Sequence, residues 1–356
     1  MEKKVFIGLD YSKLTVDVSC FHIKNMEEVL YQQFENSEEG MLELIKWARK
    51  LFKDTKQWLV CGEYTGLYSM TSTYVFNEKG IDLWLENPSQ IKLSSGIRRE
   101  KNDKVDSKDI ALYALRFIER VRLYNPESDV LIKIRELVRL KDRLTKCKML
   151  IAVPAKELKQ VQKNCKEVDY IKNTSDILIM DMDGKIIEIE KRMLTLLKTD
   201  PNLKQLYKLI TSVVGVGMQT AIYILIHTWG FTAFETPRQL ACYSGVVPFS
   251  KQSGTSLKGK SQISHIANKK LKTLLHMCAL NAVRIDPFLK AYYERKTKEG
   301  KHKMSTLNNV RNKLLHRICA VVKSGEEYDK NYQSRATNEI VDKAEIQVVN
   351  IDLDAA

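Results

Sequence analysis

The chain has 356 residues, 44% of them hydrophobic, and its 58 Lys+Arg against 44 Asp+Glu leave a formal charge of +14. That length exceeds one small core and predicts two domains with a connector, while the charge favours a polyanionic partner. Seven cysteines that never fall as C-x-x-C exclude a disulfide framework and a zinc finger, and no apolar run nears ~18 residues, which excludes a membrane span.

Val5 to Leu9 is a short apolar run suited to a buried strand, and it ends at Asp10. Alternation through Leu14, Val16 and Val18 predicts a second, hairpin-paired strand. Asn36-Ser37-Glu38-Glu39 reads as a capped helix start, with Leu42, Ile45 and Trp47 on its apolar side. Trp58 to Gly62 is a third strand, ending at Glu63, then a turn at Thr65-Gly66 and a helix. Ile81 to Leu85 is a further strand, stopped by Asn87-Pro88. Hairpin first and strand-helix alternation after it predict a mixed α/β sheet.

The basic loop Arg98, Arg99, Glu100, Lys101 leads into a helix opened by Asp103 and Asp106, which lie a turn apart on one face. Residues 128–200 read as long charged helices with 3,4-spaced apolar positions, the second run interrupted at Asp183-Gly184. An intramolecular hairpin and an intermolecular coiled coil fit that pattern equally well. Beyond Pro201, Val213 to Gly217 resembles the hairpin of a helix-hairpin-helix, in which Gly215 and Gly217 would let backbone N–H groups approach a phosphate. Thr236-Pro237 opens another helix that Gly245 closes. The basic stretch Lys251 to Lys260 follows, with Ser253, Ser256, Lys258 and Lys260. Residues 331–356 read as an acidic tail, with five Asp/Glu against two Lys/Arg.

Two features point to chemistry. Two strand-end acids and a helical D-x-x-D, Asp10, Glu63, Asp103 and Asp106, form an oxygen-donor set suited to Mg²⁺, the ion of phosphodiester chemistry. Residues 251–330 hold eighteen Lys/Arg against six Asp/Glu, nearly the whole excess charge in one segment. Lys269, Lys270, Arg311 and Lys313 belong to that footprint, with Tyr292 and Tyr293 interleaved. Within it, Ser253 offers a hydroxyl among small neighbours and cations that would stabilise a pentavalent phosphate. Ser256 is its rival, while Ser261, Ser264 and His265 are adequately explained as phosphate contacts.

The acid pattern resembles the ribonuclease-H-like nucleases, specifically the RuvC-like Holliday-junction resolvases. Gly8-x-Asp10, Glu63-x-Thr65-Gly66-x-Tyr68, Asn87-Pro88, Asp103-x-x-Asp106, the Val-x-Gly-x-Gly hairpin and Gln252-Ser253-Gly254-x-Ser256-x-x-Gly259, in this order over residues 5–325, resemble the DEDD transposases of the insertion sequence 110 family, related to the Piv DNA invertases. The resemblance implies a RuvC-like domain at residues 1–125 with Mg²⁺ on the four acids and a coiled-coil connector at 126–200. It implies a mostly α transposase domain at 201–330 with Ser253 as nucleophile, and the acidic tail behind it. It further implies DNA ends as substrate, a structured guide RNA bound by Arg98, Arg99, Lys101 and the C-terminal patch, assembly as dimers or tetramers, and work in the bacterial cytoplasm on the nucleoid. Ser107 departs from the Ala that many relatives carry after the tetrad, and Thr255 from a serine in the loop. A hydrolytic junction endonuclease would use the same acids with water, and a non-catalytic nucleic-acid scaffold would need none of them. A sugar-kinase-like ATPase would need Gly-rich phosphate loops that fifteen dispersed glycines do not supply.

Overall fold

Residues of alternate parity along β1 (Val5–Tyr11) point to opposite faces, and both faces are buried. This strand is the centre of a five-stranded mixed sheet, order β3-β2-β1-β4-β5. It pairs antiparallel with β2 (Thr15–His22) and parallel with β4 (Trp58–Glu63). At one edge β2 carries β3 (Leu30–Glu35) antiparallel, and at the other β4 carries β5 (Leu83–Glu86) parallel. The structure is a computed structural model describing residues 2–94, 96, 102–124, 128–162, 165–253, 257–263 and 267–329.

Val5, Ile7, Leu9, Val16, Val18 and Val60 form one core with α1 (Glu38–Leu51) and α2 (Met70–Glu78). Ser37 caps α1, its hydroxyl accepting the Gly40 N–H at 3.1 Å. Phe6, Phe21, Leu59, Cys61 and Trp84 form the other core with Ile91 of α3 (Pro88–Ser94) and Ile110, Ala111 and Ala114 of α4 (Asp103–Arg116). The edge strand β3 escapes the sequence reading because Leu-Tyr-Gln-Gln-Phe-Glu buries only Phe34, too little to stand out as apolar alternation.

The chain divides into two compact units, Met1–Pro126 and Glu127–Ala356. In the second, α5 (Asp129–Val161) and α6 (Lys166–Thr199) pair within one chain. The ion pairs Lys141–Glu190, at 2.5 Å, Lys148–Asp183, at 2.6 Å, and Lys159–Asp169 step in opposite directions along the two helices, so the hairpin is antiparallel. Helix α6 runs unbroken through Gly184; the partner helix compensates the roughly 1 kcal/mol that an interior glycine costs. At its root Leu131, Ile134, Ile189, Met193 and Leu197 enter the core of the remaining helices. These are α7 (Pro201–Ser212), α8 (Met218–Thr228) and α9 (Pro237–Tyr243), then a hairpin of β6 (Pro248–Ser253) and β7 (Leu257–Ile263). After it come α10 (Lys269–Ile285), α11 (Pro287–Lys298) and α12 (Lys303–Ser324). Among the described residues no helix is long and apolar enough to cross a membrane.

Candidate active site

Sheet parity decides which acids meet. Asp10 follows Phe6 and Gly8 onto the face that α4 covers, and Glu63 follows Leu59 and Cys61 onto the same face one parallel strand away. Asn102 caps α4, its side-chain oxygen accepting the Val105 N–H at 2.8 Å, so Asp103 and Asp106 fall in the first turn. Carboxylate oxygens of Asp10, Asp103 and Asp106 all lie within 4.8 Å of one another. Glu63 is outside that trio, yet its charge acts on Asp10 more strongly than that of either helical aspartate.

Asp10 carries the electrostatic signature of the cluster. Burial, then the charges of Glu63, Asp106, Asp103 and Asp17, push its carboxyl up to about 6. Among the described residues, the charges that shift it are all negative. A set of hard oxygen donors of this kind fits a divalent cation such as Mg²⁺, Mn²⁺ or Ca²⁺, with Asp10, Asp103 and Asp106 as the closely grouped donors and Glu63 beside them.

The close approach of α4 rests on a glycine. A Cβ on Gly8 would lie 2.1 Å from the Ser107 carbonyl oxygen and 2.5 Å from the Ala111 nitrogen, so any larger residue would push the helix, and its two acids, off the sheet. Ser107 is fully buried there, its hydroxyl 2.8 Å from that of Ser19 on β2 and 3.0 Å from the Lys104 carbonyl oxygen. That pairing satisfies the buried Ser107 hydroxyl, so serine is accommodated at this tight contact.

Asp17 is a site neighbour that the sequence reading passes over. It lies directly across from Asp10 in the β1–β2 register and is 2% exposed. Tyr31 donates to it at 2.5 Å, and the Gln33 amide reaches both its oxygens at 3.2 Å. The hydrogen bond to Asp17, with burial and the charges of Asp17 and Asp103, holds the Tyr31 phenol up at about 12. The available signal was Val16-Asp17-Val18, an acid on the strand facing Asp10.

The serine segment lies in the second unit. Ser253 ends β6, its backbone paired with Leu257. Ser256, Arg98, Arg99, Lys101, Ser264 and His265 lie outside the described residues, as do the side chains of Ser253, Lys258, Lys260 and Ser261. Both roots of the hairpin are tied together. Asn268, the cap of α10, donates its side-chain amide to the Tyr243 hydroxyl at 3.0 Å and its backbone N–H to the Tyr243 carbonyl oxygen at 2.9 Å. His227 Nδ1 sits 2.8 Å from the same hydroxyl. Burial, then Arg135 and Arg139, lower the imidazole to about 4.

The other basic and glycine positions separate by environment. Lys269 and Lys270 are exposed at the start of α10, Lys270 3.0 Å from Asp142. Lys313 is exposed and rides over the Tyr292 ring at 4.7 Å. Arg311 is only 5% exposed, its guanidinium 2.7 Å from His276 Nδ1, and so fills an interior role where the sequence suggested a phosphate contact. Gly215 takes φ +91°, and a Cβ there would meet the Cys278 carbonyl oxygen at 2.8 Å, so packing against α10 accounts for it without a ligand. Gly217 is exposed at the start of α8.

The sequence is similar to that of known proteins. Residues 7–150 match the DEDD transposase model of the IS110 group, and residues 207–294 match the transposase IS116/IS110/IS902 family. The chain belongs to the IS110 family of transposases. The transposase is 27% identical over 331 residues to the pilin gene-inverting protein of Moraxella bovis, covering 92% of this chain and 98% of that one. The pilin gene-inverting protein of Moraxella lacunata gives the same identity and coverage. A 43.6 kDa protein of insertion element IS110 from Streptomyces coelicolor is 30% identical over 141 residues, 40% of this chain and 34% of that one.

Proposed function

We propose that the transposase cuts and rejoins DNA strands, with Asp10, Glu63, Asp103 and Asp106 holding Mg²⁺ and Ser253 as nucleophile. The carboxylate trio within 4.8 Å, in a chain of this family, is the observation that carries the proposal. We read residues 1–125 as a ribonuclease-H-like, RuvC-like domain, 126–200 as a coiled-coil connector and 201–330 as the transposase domain. Bound there, Mg²⁺ supplies Lewis-acid polarisation of the scissile phosphate and charge stabilisation at the leaving oxygen. The Ser253 oxygen attacks phosphorus in line, the bond to the sugar oxygen breaks, the serine proton passes to water and the sugar oxygen gains one. The phosphoserine link conserves the bond for rejoining, so strand exchange needs no external energy source.

The inversion activity in the name of the Moraxella relatives supports DNA as substrate. A structured RNA bound at Arg98, Arg99, Lys101 and the cations Lys258, Lys260, Lys269 and Lys270 would supply target choice by base pairing, since a backbone-reading surface recognises shape. Dimers or tetramers fit the apolar side chains left open on the α5–α6 hairpin, among them Leu150, Tyr170, Ile177 and Met180, each at least 70% exposed. The work is that of a bacterial cytoplasmic enzyme on the nucleoid.

The test is adduct trapping on a nicked suicide substrate. A covalent protein–DNA species that needs Mg²⁺, Asp106 and Ser253 is expected. Mg²⁺-dependent cleavage without an adduct would replace the proposal with a hydrolytic junction endonuclease, and an adduct undiminished in Ser253→Ala would move the nucleophile to Ser256.

A further inference from the structure

Helices α11 and α12 enclose a groove of about 820 Å³ that the proposed chemistry does not use. It has the size of a pocket for a small organic ligand. Leu289, 2% exposed, lies in its apolar floor, and the rings of Phe288 and Tyr292 line it. Phe288 is 57% exposed, so its ring is open to an occupant of the groove. Asn309 donates to the Tyr292 hydroxyl at 3.1 Å, fixing that ring from behind, while Lys313 lies over its face.

Two further observations point to a ligand that is both flat and anionic. The side-chain oxygen of Asn312, a residue of the lining, is buried without a hydrogen-bond partner, an unmet acceptor in the groove wall. The cations of the lining also divide into two kinds. Arg317 is committed, 2.5 Å from the buried Asp286 and stacked on Tyr328 at 4.9 Å. Arg295 stands 67% exposed, 3.9 Å from Glu299, and with Lys313 it offers positive charge at the rim.

We propose that this groove binds an unpaired nucleotide of single-stranded DNA, the strand released when the duplex is cut. The base stacks against Phe288, beside Tyr292, while the flanking phosphates meet Arg295 and Lys313. A duplex presents no base faces to such a groove, whereas stacking on aromatic rings beside cations is how sequence-tolerant single-strand sites work. An acidic peptide would satisfy the cations and leave the open phenyl ring unused. The proposal deepens the strand-exchange reading and rests on it for the source of the strand.

The test is fluorescence anisotropy on the full chain without Mg²⁺, using a thymidine 12-mer, its abasic counterpart, the same sequence as duplex, and the uridine 12-mer. Phe288→Ala is expected to weaken the thymidine 12-mer about five- to tenfold, as expected for loss of one stacked base, and to leave the abasic strand and the duplex unchanged. Lys313→Ala is expected to weaken the thymidine and abasic strands alike and to reduce the slope of log affinity against log salt by about 0.7. Equal losses for thymidine and abasic strands in Phe288→Ala would overturn the proposal, as would a loss confined to the uridine strand. Tm values matching wild type exclude misfolding, and a Phe288→Trp variant that restores binding separates stacking from packing. Because no cleavage is involved, a normal covalent adduct with no Phe288 effect would sink this proposal alone, while a Phe288 effect with no adduct would sink only the chemistry.

Discussion

Replacing Asp10 with asparagine should make the first unit more stable while abolishing its response to Mg²⁺. Burial and four neighbouring carboxylates raise Asp10 from an ordinary 3.8 to about 6. The folded state therefore binds that proton more tightly than the unfolded chain does. Its stabilising effect is complete below about pH 4 and is lost as the pH rises through about 6. A rise of that size corresponds to about 3 kcal/mol near pH 7. Asp10 is only partly buried, and solvent screening reduces this to ~1–2 kcal/mol. In a unit of this size that is a gain of roughly 3–8 °C in Tm for Asp10→Asn without metal. Three of the four tryptophans, Trp47, Trp58 and Trp84, lie in the first unit, so tryptophan fluorescence during heating reports mainly on it. Wild type should gain Tm on adding Mg²⁺ near pH 7 and gain less near pH 5, where cation and proton compete for the same carboxylate. A metal-free Asp10→Asn variant less stable than wild type, or one that keeps the full Mg²⁺ response, would refute the reasoning.

Gly8→Ala should cost the first unit about 1–3 kcal/mol or more through overpacking against Ser107 and Ala111, and isothermal titration should show Mg²⁺ binding weakened with it. Ser19→Ala strands the buried Ser107 hydroxyl from one partner and should cost about 1 kcal/mol, whereas the double change with Ser107→Ala should be less costly than the sum, a coupling that urea unfolding would read. Asn268→Ala removes the α10 cap and the tie to Tyr243; a loss of about 1–2 kcal/mol is expected, together with faster proteolysis within residues 247–267. His227 sits below its unfolded value, so its contribution is present above about pH 6.5 and is lost as the pH falls toward 4; His227→Gln should flatten the acid side of the stability curve of the second unit measured by calorimetry.

Legibility followed burial and parity. The four acids could be nominated from their places at strand ends and in a helical first turn because period-2 and period-3.6 patterns carry direction as well as element type. What brings α4 close enough for Asp103 and Asp106 to reach Asp10 is the missing side chain at Gly8, and an isolated Gly-x-Asp does not say which backbone it must admit. Asp17 is easily passed over for a related reason: Val16-Asp17-Val18 marks an acid on the paired strand, but its position opposite Asp10 depends on a cross-strand register that sequence distance does not give. The polar edge strand β3 lacked a signal altogether. Basic residues were the least legible, since charge counts cannot separate Lys313, exposed over an aromatic ring, from Arg311, closed in against His276. The α5–α6 pairing was ambiguous because the same apolar stripe suits an intramolecular or an intermolecular neighbour; the ion pairs, and not the stripe, fix the antiparallel hairpin.

A divalent cation held between β1 and α4 is central to the proposed chemistry. Crystals of the transposase soaked in Mn²⁺, a spectroscopically visible substitute for Mg²⁺, should give an anomalous difference peak within coordination distance of Asp10, Asp103 and Asp106, with Glu63 alongside. A peak elsewhere, or equal occupancy of the site in crystals of Asp10→Asn, would contradict it.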